Sequence, residues 1–157
     1  MPLLLLLSCG ALYLSFAYDL ERSDFPKLLT LYLAIGFLSW KLFQMEKTNL
    51  SFLVAASLLF RLVFLFSTPG LSQDFYRFLW DGQLVLQEVN PYLFTPREFM
   101  ASNEISIPPA SQLFTGMGDL SAGNHSNYPP LSQLLFAFAA LFAGKNLFGG
   151  IITLRIV

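Results

Sequence analysis

The sequence predicts an all-α membrane protein, a multi-pass transmembrane helical bundle with an interfacial helix in a large external loop. Of its 157 residues, 55% are hydrophobic and 12% are charged, whereas soluble domains carry about a quarter charged residues. Several apolar segments approach the roughly 20 residues needed to cross a hydrocarbon core. Residues 69–129, rich in Pro and acidic side chains, cannot lie in lipid as irregular backbone, so they form an external loop.

The apolar segments follow one another along the chain. The predicted spans are residues 2–18, 25–43, 50–68 and 130–145, with the start of another at 147. Arg61 interrupts the third span, and Pro69 and Gly70 end it. Pro130 suits the first position of the helix of the fourth span. Because the apolar pattern continues to the last residue, we expect these residues to be the N-terminal part of a longer protein. We expect enzymatic activity from the longer protein rather than from this part alone.

Charge and cysteine content exclude several functions. The formal net charge is −1, and no block of Lys and Arg residues appears, which excludes nucleic acid as a partner. The single Cys9 and the lone His125 exclude an internal disulfide and a Cys/His metal cluster. We predict no cofactor and no metal site, although a divalent metal remains open.

The distribution of Lys and Arg leans slightly towards a cytoplasmic N-terminus. This orientation predicts an inner-membrane protein whose loop 69–129 lies on the periplasmic, outer face.

Within this loop, residues 73–88 have the pattern of an interfacial helix. Asp74, Arg77, Asp81 and Glu88 fall within about 60° of one another on a helical wheel. They form one polar stripe that would face water or a cleft, while aromatic residues cover the rest. A turn is predicted at Asn90-Pro91 and a short helix from Thr95-Pro96, with Glu98 as capping-box partner. Residues 101–127 are predicted to be connecting loop.

Three motifs in this region carry a resemblance to a known family. They are Gln-Asp-Phe-Tyr-Arg-Phe-Leu-Trp-Asp-Gly at 73–82, Asn-Pro-Tyr at 90–92 and Tyr-Pro-Pro-Leu at 128–131. Over about sixty residues the chain resembles bacterial multi-pass glycosyltransferases of the GT-C type, especially mannosyltransferase-like members that use polyprenyl-phosphate sugar donors. The resemblance implies transfer of a hexose, with mannose as the expected sugar, to a lipid or glycan acceptor at the outer face of the membrane.

The resemblance also implies which carboxylate is essential. By its place in the motif that residue is Asp74, while Gln73 stands where many relatives have a second acidic residue. A single carboxylate suffices as the base of an inverting transfer, since it need only take the proton of the acceptor hydroxyl. Arg77 and Arg61 are the candidates to bind the leaving phosphate. The predicted substrate-binding residues are Arg77, Asp81, Arg61, Tyr76, Trp80, Asn90, Tyr92 and Tyr128.

Each candidate also has a structural explanation. Asp74 and Arg77, three residues apart, can pair on a helix surface, and Asp81 before Gly82 can end the helix. Arg61 can reach the interface from within its span, and the aromatic rings can form an interfacial belt. Asn90-Pro91-Tyr92 can fix a turn.

Two other functions remain open at this stage. A transporter or channel fragment would use Arg61 and the acidic stripe along a solute path. A non-enzymatic membrane scaffold would use the interfacial helix as an anchor and would not need Asp74. The expected partners of the enzyme are the polyprenyl-phosphate-linked sugar donor, a lipid or glycan acceptor and membrane lipids.

Overall fold

The computed structural model describes residues 1–102, 107, 109–143 and 147–157. The described residues form eight α-helices and no strand, so the all-helical prediction is confirmed. They divide into two compact units, Met1–Leu71 and Ser72–Val157, and each unit has its own buried apolar cluster.

The first unit contains three helices, α1 (Pro2–Tyr18), α2 (Phe25–Glu46) and α3 (Leu50–Val63). The start of α2 is capped by Asp24, whose carboxylate accepts a hydrogen bond from the backbone N–H of Lys27 at 3.1 Å. The start of α3 is capped in the same way by Asn49. These caps satisfy backbone donors that have no partner within the helix, which fixes both helix starts.

The three helices of this unit pack against one another around a small core. Cys9, Leu42 and Phe60 are buried there, and the ring of Tyr13 stacks on Phe60 with centroids 4.7 Å apart. Most of the unit's large apolar side chains are nevertheless exposed. An exposed apolar surface of this extent is typical of a segment that contacts lipid or further protein.

Only α2, among the described residues, is both long and apolar enough to cross a membrane. Three further apolar helices, α1, α3 and the later Pro130–Leu141, are shorter. The multi-pass topology therefore stays a prediction.

The third apolar segment is not helical over its whole predicted length. The sequence predicts a span over 50–68, but α3 ends at Val63. Beyond it, Phe64, Leu65 and Ser67 donate backbone hydrogen bonds three residues back. The chain thus leaves the helix through tight turns that precede Pro69.

The second unit contains five helices: α4 (Asp74–Leu86), α5 (Pro96–Ser102), α6 (Ala110–Ala122), α7 (Pro130–Leu141) and α8 (Phe148–Ile156). Helix α4 is central, since it packs against α6, α7 and α8. Leu79, Trp80 and Leu84 of α4 are almost completely buried in this core. The predicted span 130–145 corresponds to α7, and its last two residues lie outside the described residues.

The close approach of α4 and α7 depends on Gly82. A Cβ atom at this position would overlap the carbonyl oxygen of Phe136 and lie 2.9 Å from the backbone nitrogen of Ala137. Only a residue without a side chain lets the two helix backbones approach so closely.

We expect Gly82→Ala to lower the free energy of unfolding by roughly 1–3 kcal/mol, because the clash with backbone atoms forces α4 and α7 apart. The midpoint of thermal unfolding in detergent measures this effect. Gly36→Ala is the matched control, since Gly36 lies within α2 and a Cβ there meets nothing within 4 Å. An equal loss of stability in both variants would contradict the proposed role of Gly82.

Two local features of the predicted loop are confirmed. The Asn90 side chain accepts a hydrogen bond from the backbone N–H of Tyr92 at 3.0 Å, which forms a turn. Thr95 and Glu98 form a reciprocal capping box at the start of α5, at 2.9 and 3.2 Å. The Glu98 carboxylate accepts hydrogen bonds from the backbone N–H and the hydroxyl of Thr95, and these two bonds lower the pKa of the Glu98 carboxyl below its ordinary value.

Two other features differ from the sequence prediction. Helix α4 spans Asp74–Leu86 rather than 73–88, and Glu88 has a positive φ of 62°, so it is not part of the polar stripe. Residues 101–127 are not simply connecting loop, because they contain α6. The sequence of α6 contains many Ser and Gly residues, which makes its apolar face, with Leu113 and Met117, hard to recognise. Residues 103–106 and 108 of the predicted loop lie outside the described residues.

Candidate active site

An exposed carboxylate, that of Asp74, lies in the first turn of α4. The backbone N–H of Asp74 donates to the hydroxyl of Ser72 at 3.2 Å. A carboxylate at this end of a helix is favoured by the helix dipole. Among the described residues, no basic side chain forms an ion pair with Asp74, so the carboxylate is available to a ligand.

Arg77 and Asp81, one and two turns further along α4, form a buried ion pair. The Nε atom of Arg77 donates to Oδ1 of Asp81 at 2.7 Å. Nη1 of Arg77 donates to the backbone carbonyls of Ser121 and Asn124, at 2.7 and 2.9 Å. The predicted stripe therefore splits into the exposed Asp74 and an internally neutralised pair. Arg77 does not pair with Asp74, and Asp81 lies within α4 rather than at its end.

The second oxygen of Asp81 binds two residues that the sequence analysis did not single out. Oδ2 accepts hydrogen bonds from Ser126 Oγ at 2.5 Å and from Gln133 Nε2 at 3.2 Å. Gln133 also donates to Ser126 at 2.8 Å. Gln133 could have been found from the sequence, because it is a polar residue within the apolar segment of α7 and such residues usually face the protein interior. Ser126 has no comparable sequence pattern.

Tyr128 is the point at which the three sequence motifs meet. The hydroxyl of Tyr92 donates to the backbone carbonyl of Tyr128 at 2.6 Å. The ring of Tyr128 packs edge-on against Phe78 of α4, with centroids 5.1 Å apart, and against Phe136 of α7. Asn90 contributes by fixing the turn that holds Tyr92. The structure thus brings Tyr128 and Tyr92 together and places the ring of Tyr128 against Phe78 of α4.

The aromatic candidates on α4 are placed differently. Trp80 is completely buried, and its indole ring packs edge-on against Phe99 at 5.8 Å. A sugar has no access to that ring, so Trp80 serves the core rather than a stacking platform or an interfacial belt. Tyr76 is half-buried, and its ring lies beside Phe75 and against Gly116.

Arg61 belongs to the first unit. Its exposed side chain lines an open, mainly apolar cavity of about 630 Å³ together with Tyr13 and Phe60. This volume lies within the usual range of ligand sites. No ion-pair partner of Arg61 occurs among the described residues, and its predicted contact with a phosphate stays a prediction.

Comparison with protein families places these residues in a known context. The model of the family described as alpha-(1->6)-mannopyranosyltransferase, N-terminal domain, matches residues 15–157. The chain belongs to this family. No curated protein and no solved structure gave a significant match.

Membership of the alpha-(1->6)-mannopyranosyltransferase family supports glycosyltransferase activity. It implies a sugar donor and an acceptor as substrates. The predicted resemblance to mannosyltransferases is thereby confirmed at this level.

In this member of the alpha-(1->6)-mannopyranosyltransferase family, the part of the chain that the structure describes holds no group of three or more His, Cys, Asp or Glu residues suited to a metal. The acidic residues nearest the site are Asp74, which is exposed, and Asp81, which is occupied by hydrogen bonds. The prediction that no metal is used remains a prediction.

The hydroxyl of Tyr128 is expected to keep its proton to a higher pH than an ordinary tyrosine, whose pKa is about 10. Burial raises the pKa of Tyr128, the charges of Asp74 and Asp81 raise it further, and Arg77 lowers it. The pKa of Tyr128 is higher in the folded state than in the unfolded state. The stability that the neutral hydroxyl contributes is therefore fully present at a pH below the pKa of the unfolded state. It is lost as the pH rises through the folded pKa.

An NMR titration of tyrosine ¹³Cζ resonances, assigned with Tyr128→Phe, measures this pKa. Asp74→Asn is expected to lower the pKa of Tyr128, because it removes a negative charge. A measured pKa of Tyr128 at or below that of an ordinary tyrosine would contradict the expected rise.

Proposed function

We propose that this protein is part of an inverting, GT-C type mannosyltransferase that transfers a mannosyl residue from a polyprenyl-phosphate donor to a lipid or glycan acceptor. The observation that carries the proposal is the exposed, unpaired carboxylate of Asp74 on α4. It is accompanied by a half-buried tyrosine, Tyr128, on the same side of that helix. Family membership supplies the reaction class.

In the proposed reaction, Asp74 acts as the general base. It takes the proton of the acceptor hydroxyl as the oxygen attacks the anomeric carbon from the side opposite the phosphate. The new bond between carbon and the acceptor oxygen forms while the bond between carbon and the phosphate oxygen breaks. The phosphate leaves with the electron pair, and the configuration at the anomeric carbon inverts. A phosphate needs no acid to leave, so one carboxylate is sufficient.

The proposal places the protein in the inner membrane, with residues 69–129 at the outer face. Helix α2 has the length and composition of a span. Leu and Phe side chains on the outside of α1, α3 and α7 are also exposed, among them Leu4, Leu62 and Phe138. Burial of such side chains in hydrocarbon is favourable, at about 25 cal/mol for each Å² removed from water. These features support contact with lipid.

Sugar transfer by membranes that contain the full-length protein tests the proposal. The radiolabelled donors are polyprenyl-phosphate mannose, polyprenyl-phosphate glucose and nucleotide-linked mannose, and membranes lacking the protein are the control. We expect label to enter the acceptor fraction only from polyprenyl-phosphate mannose. Transfer from the nucleotide-linked sugar alone would overturn the lipid-linked donor, and transfer from no donor would overturn the proposed reaction.

A further inference from the structure

The buried ion pair of α4 joins four separate parts of the second unit. We name Arg77, Asp81, Ser126 and Gln133 the buried network. Through Arg77 it holds the carbonyls of Ser121 and Asn124, at the end of α6 and just beyond it. Through Asp81 it holds Ser126 and, on α7, Gln133. The network therefore fixes the segment 121–126 between α4 and α7.

The network is closed to a substrate. The exposed fractions are 4% for Arg77, 0% for Asp81, 8% for Ser126 and 4% for Gln133. The charge of the guanidinium is compensated by Asp81, and both oxygens of that carboxylate are occupied. Direct contact with a sugar or a phosphate is thus not the use of these residues.

What the network determines is the position of the chain that leads to Tyr128. Only one residue separates Ser126 from Tyr128, so a fixed Ser126 restricts where Tyr128 can lie. The ring of Tyr128 packs against Phe78. Phe78 lies four residues after Asp74, and residues four apart share one face of a helix. The ring of Tyr128 is therefore held one helical turn from Asp74.

We propose that Ser126 and Gln133 are positioning residues of the transfer site, which act through Asp81 and Arg77 to hold Tyr128 on the Asp74 face of α4. This inference rests on the proposed function. It assigns to Arg77 and Asp81 a supporting role in place of the direct substrate contact expected from the sequence. It also makes the geometry of the site depend on two uncharged residues outside the three motifs.

The test uses Ser126→Ala and Gln133→Met in the full-length protein, because each removes hydrogen bonds without adding bulk. Ser132→Ala and Gln112→Met are the matched controls, since neither side chain takes part in the network. We expect kcat to fall by roughly 10- to 100-fold in the first two variants, as for a small displacement of a reacting group. The KM for the donor is expected to stay unchanged, since no ground-state contact is lost.

Two further measurements separate positioning from a general loss of folded protein. Ser126→Thr keeps the hydroxyl and is expected to restore kcat. In Ser126→Ala and Gln133→Met, the ¹³Cζ resonance of Tyr128 is expected to titrate nearer to the ordinary tyrosine value, because the ring is held less firmly in its buried place. The control variants are expected to leave both kcat and this titration unchanged.

The inference is overturned if the variants lose activity only in proportion to the amount of folded protein, with the Tyr128 titration unaltered. It is also overturned if the KM for the donor rises while kcat is retained, since Ser126 or Gln133 would then contact the substrate. If the wild type transfers no sugar, the proposed function fails, whereas the Tyr128 titration of the two variants still decides whether the network positions this residue.

Discussion

Asp74→Asn is expected to abolish most sugar transfer, with kcat lowered by about 10²- to 10⁴-fold, the usual contribution of a general base. Asparagine keeps the shape of the side chain but cannot take a proton from the acceptor hydroxyl. Because Asp74 is exposed and forms no ion pair among the described residues, the substitution should leave the fold intact. The measurement is the initial rate of transfer by membranes with matched amounts of protein.

Asp119→Asn is the matched control for this experiment. Asp119 is also an exposed carboxylate of the second unit, and its ion pair is with Arg97 at 3.4 Å. Its substitution is expected to leave the rate unchanged. Undiminished transfer by Asp74→Asn would remove Asp74 from the mechanism, and equal losses in both variants would indicate a general effect of surface charge.

The second large effect is expected on stability, at the buried pair of Arg77 and Asp81. Removing one partner leaves the other charge buried and uncompensated, which typically costs about 3–5 kcal/mol. We expect Arg77→Met and Asp81→Leu each to lower the free energy of unfolding by an amount of this order. The double variant is expected to be much less destabilised than the sum of the two, since it leaves no unpaired charge.

The free energies of unfolding of the wild type, the two single variants and the double variant, measured in detergent, form a double-mutant cycle that gives this coupling. The exposed pair Arg97 and Asp119 supplies the comparison, through Arg97→Met, Asp119→Leu and their combination. An exposed pair contributes only about 0–1 kcal/mol, so this control cycle should show little coupling. Additive losses at Arg77 and Asp81 would contradict an energetic coupling between the two side chains.

The starts of most helices could be predicted from local chemistry. The capping box of Thr95 and Glu98 and the proline at position 130 act through their nearest neighbours in the sequence, so the pattern alone indicates where the backbone turns into a helix. Helix α6 was missed because its composition, rich in Ser and Gly, resembles that of a loop, although Leu113 and Met117 lie in its buried face.

The candidate site was predictable only in part. Periodicity placed Asp74, Arg77 and Asp81 on one face of α4, but it does not reveal which part of that face another element covers. The partners of Asp81 other than Arg77 are Ser126 and Gln133, which lie 45 and 52 residues away, and such contacts depend on how the helices pack. The three-dimensional structure was therefore needed to show that Asp74 is exposed whereas Arg77 and Asp81 neutralise each other.

The internal pairing of Arg77 has a consequence for the electrostatic potential of the site. Among Asp74, Arg77, Asp81 and Tyr128, the charges of Arg77 and Asp81 compensate each other. Asp74 is then the only one of these four residues with an uncompensated formal charge. An approaching phosphate therefore meets a weakly negative potential from these four residues, with no long-range attraction to steer it. These four residues can therefore hold an anionic donor only through short-range contacts, such as those with its sugar.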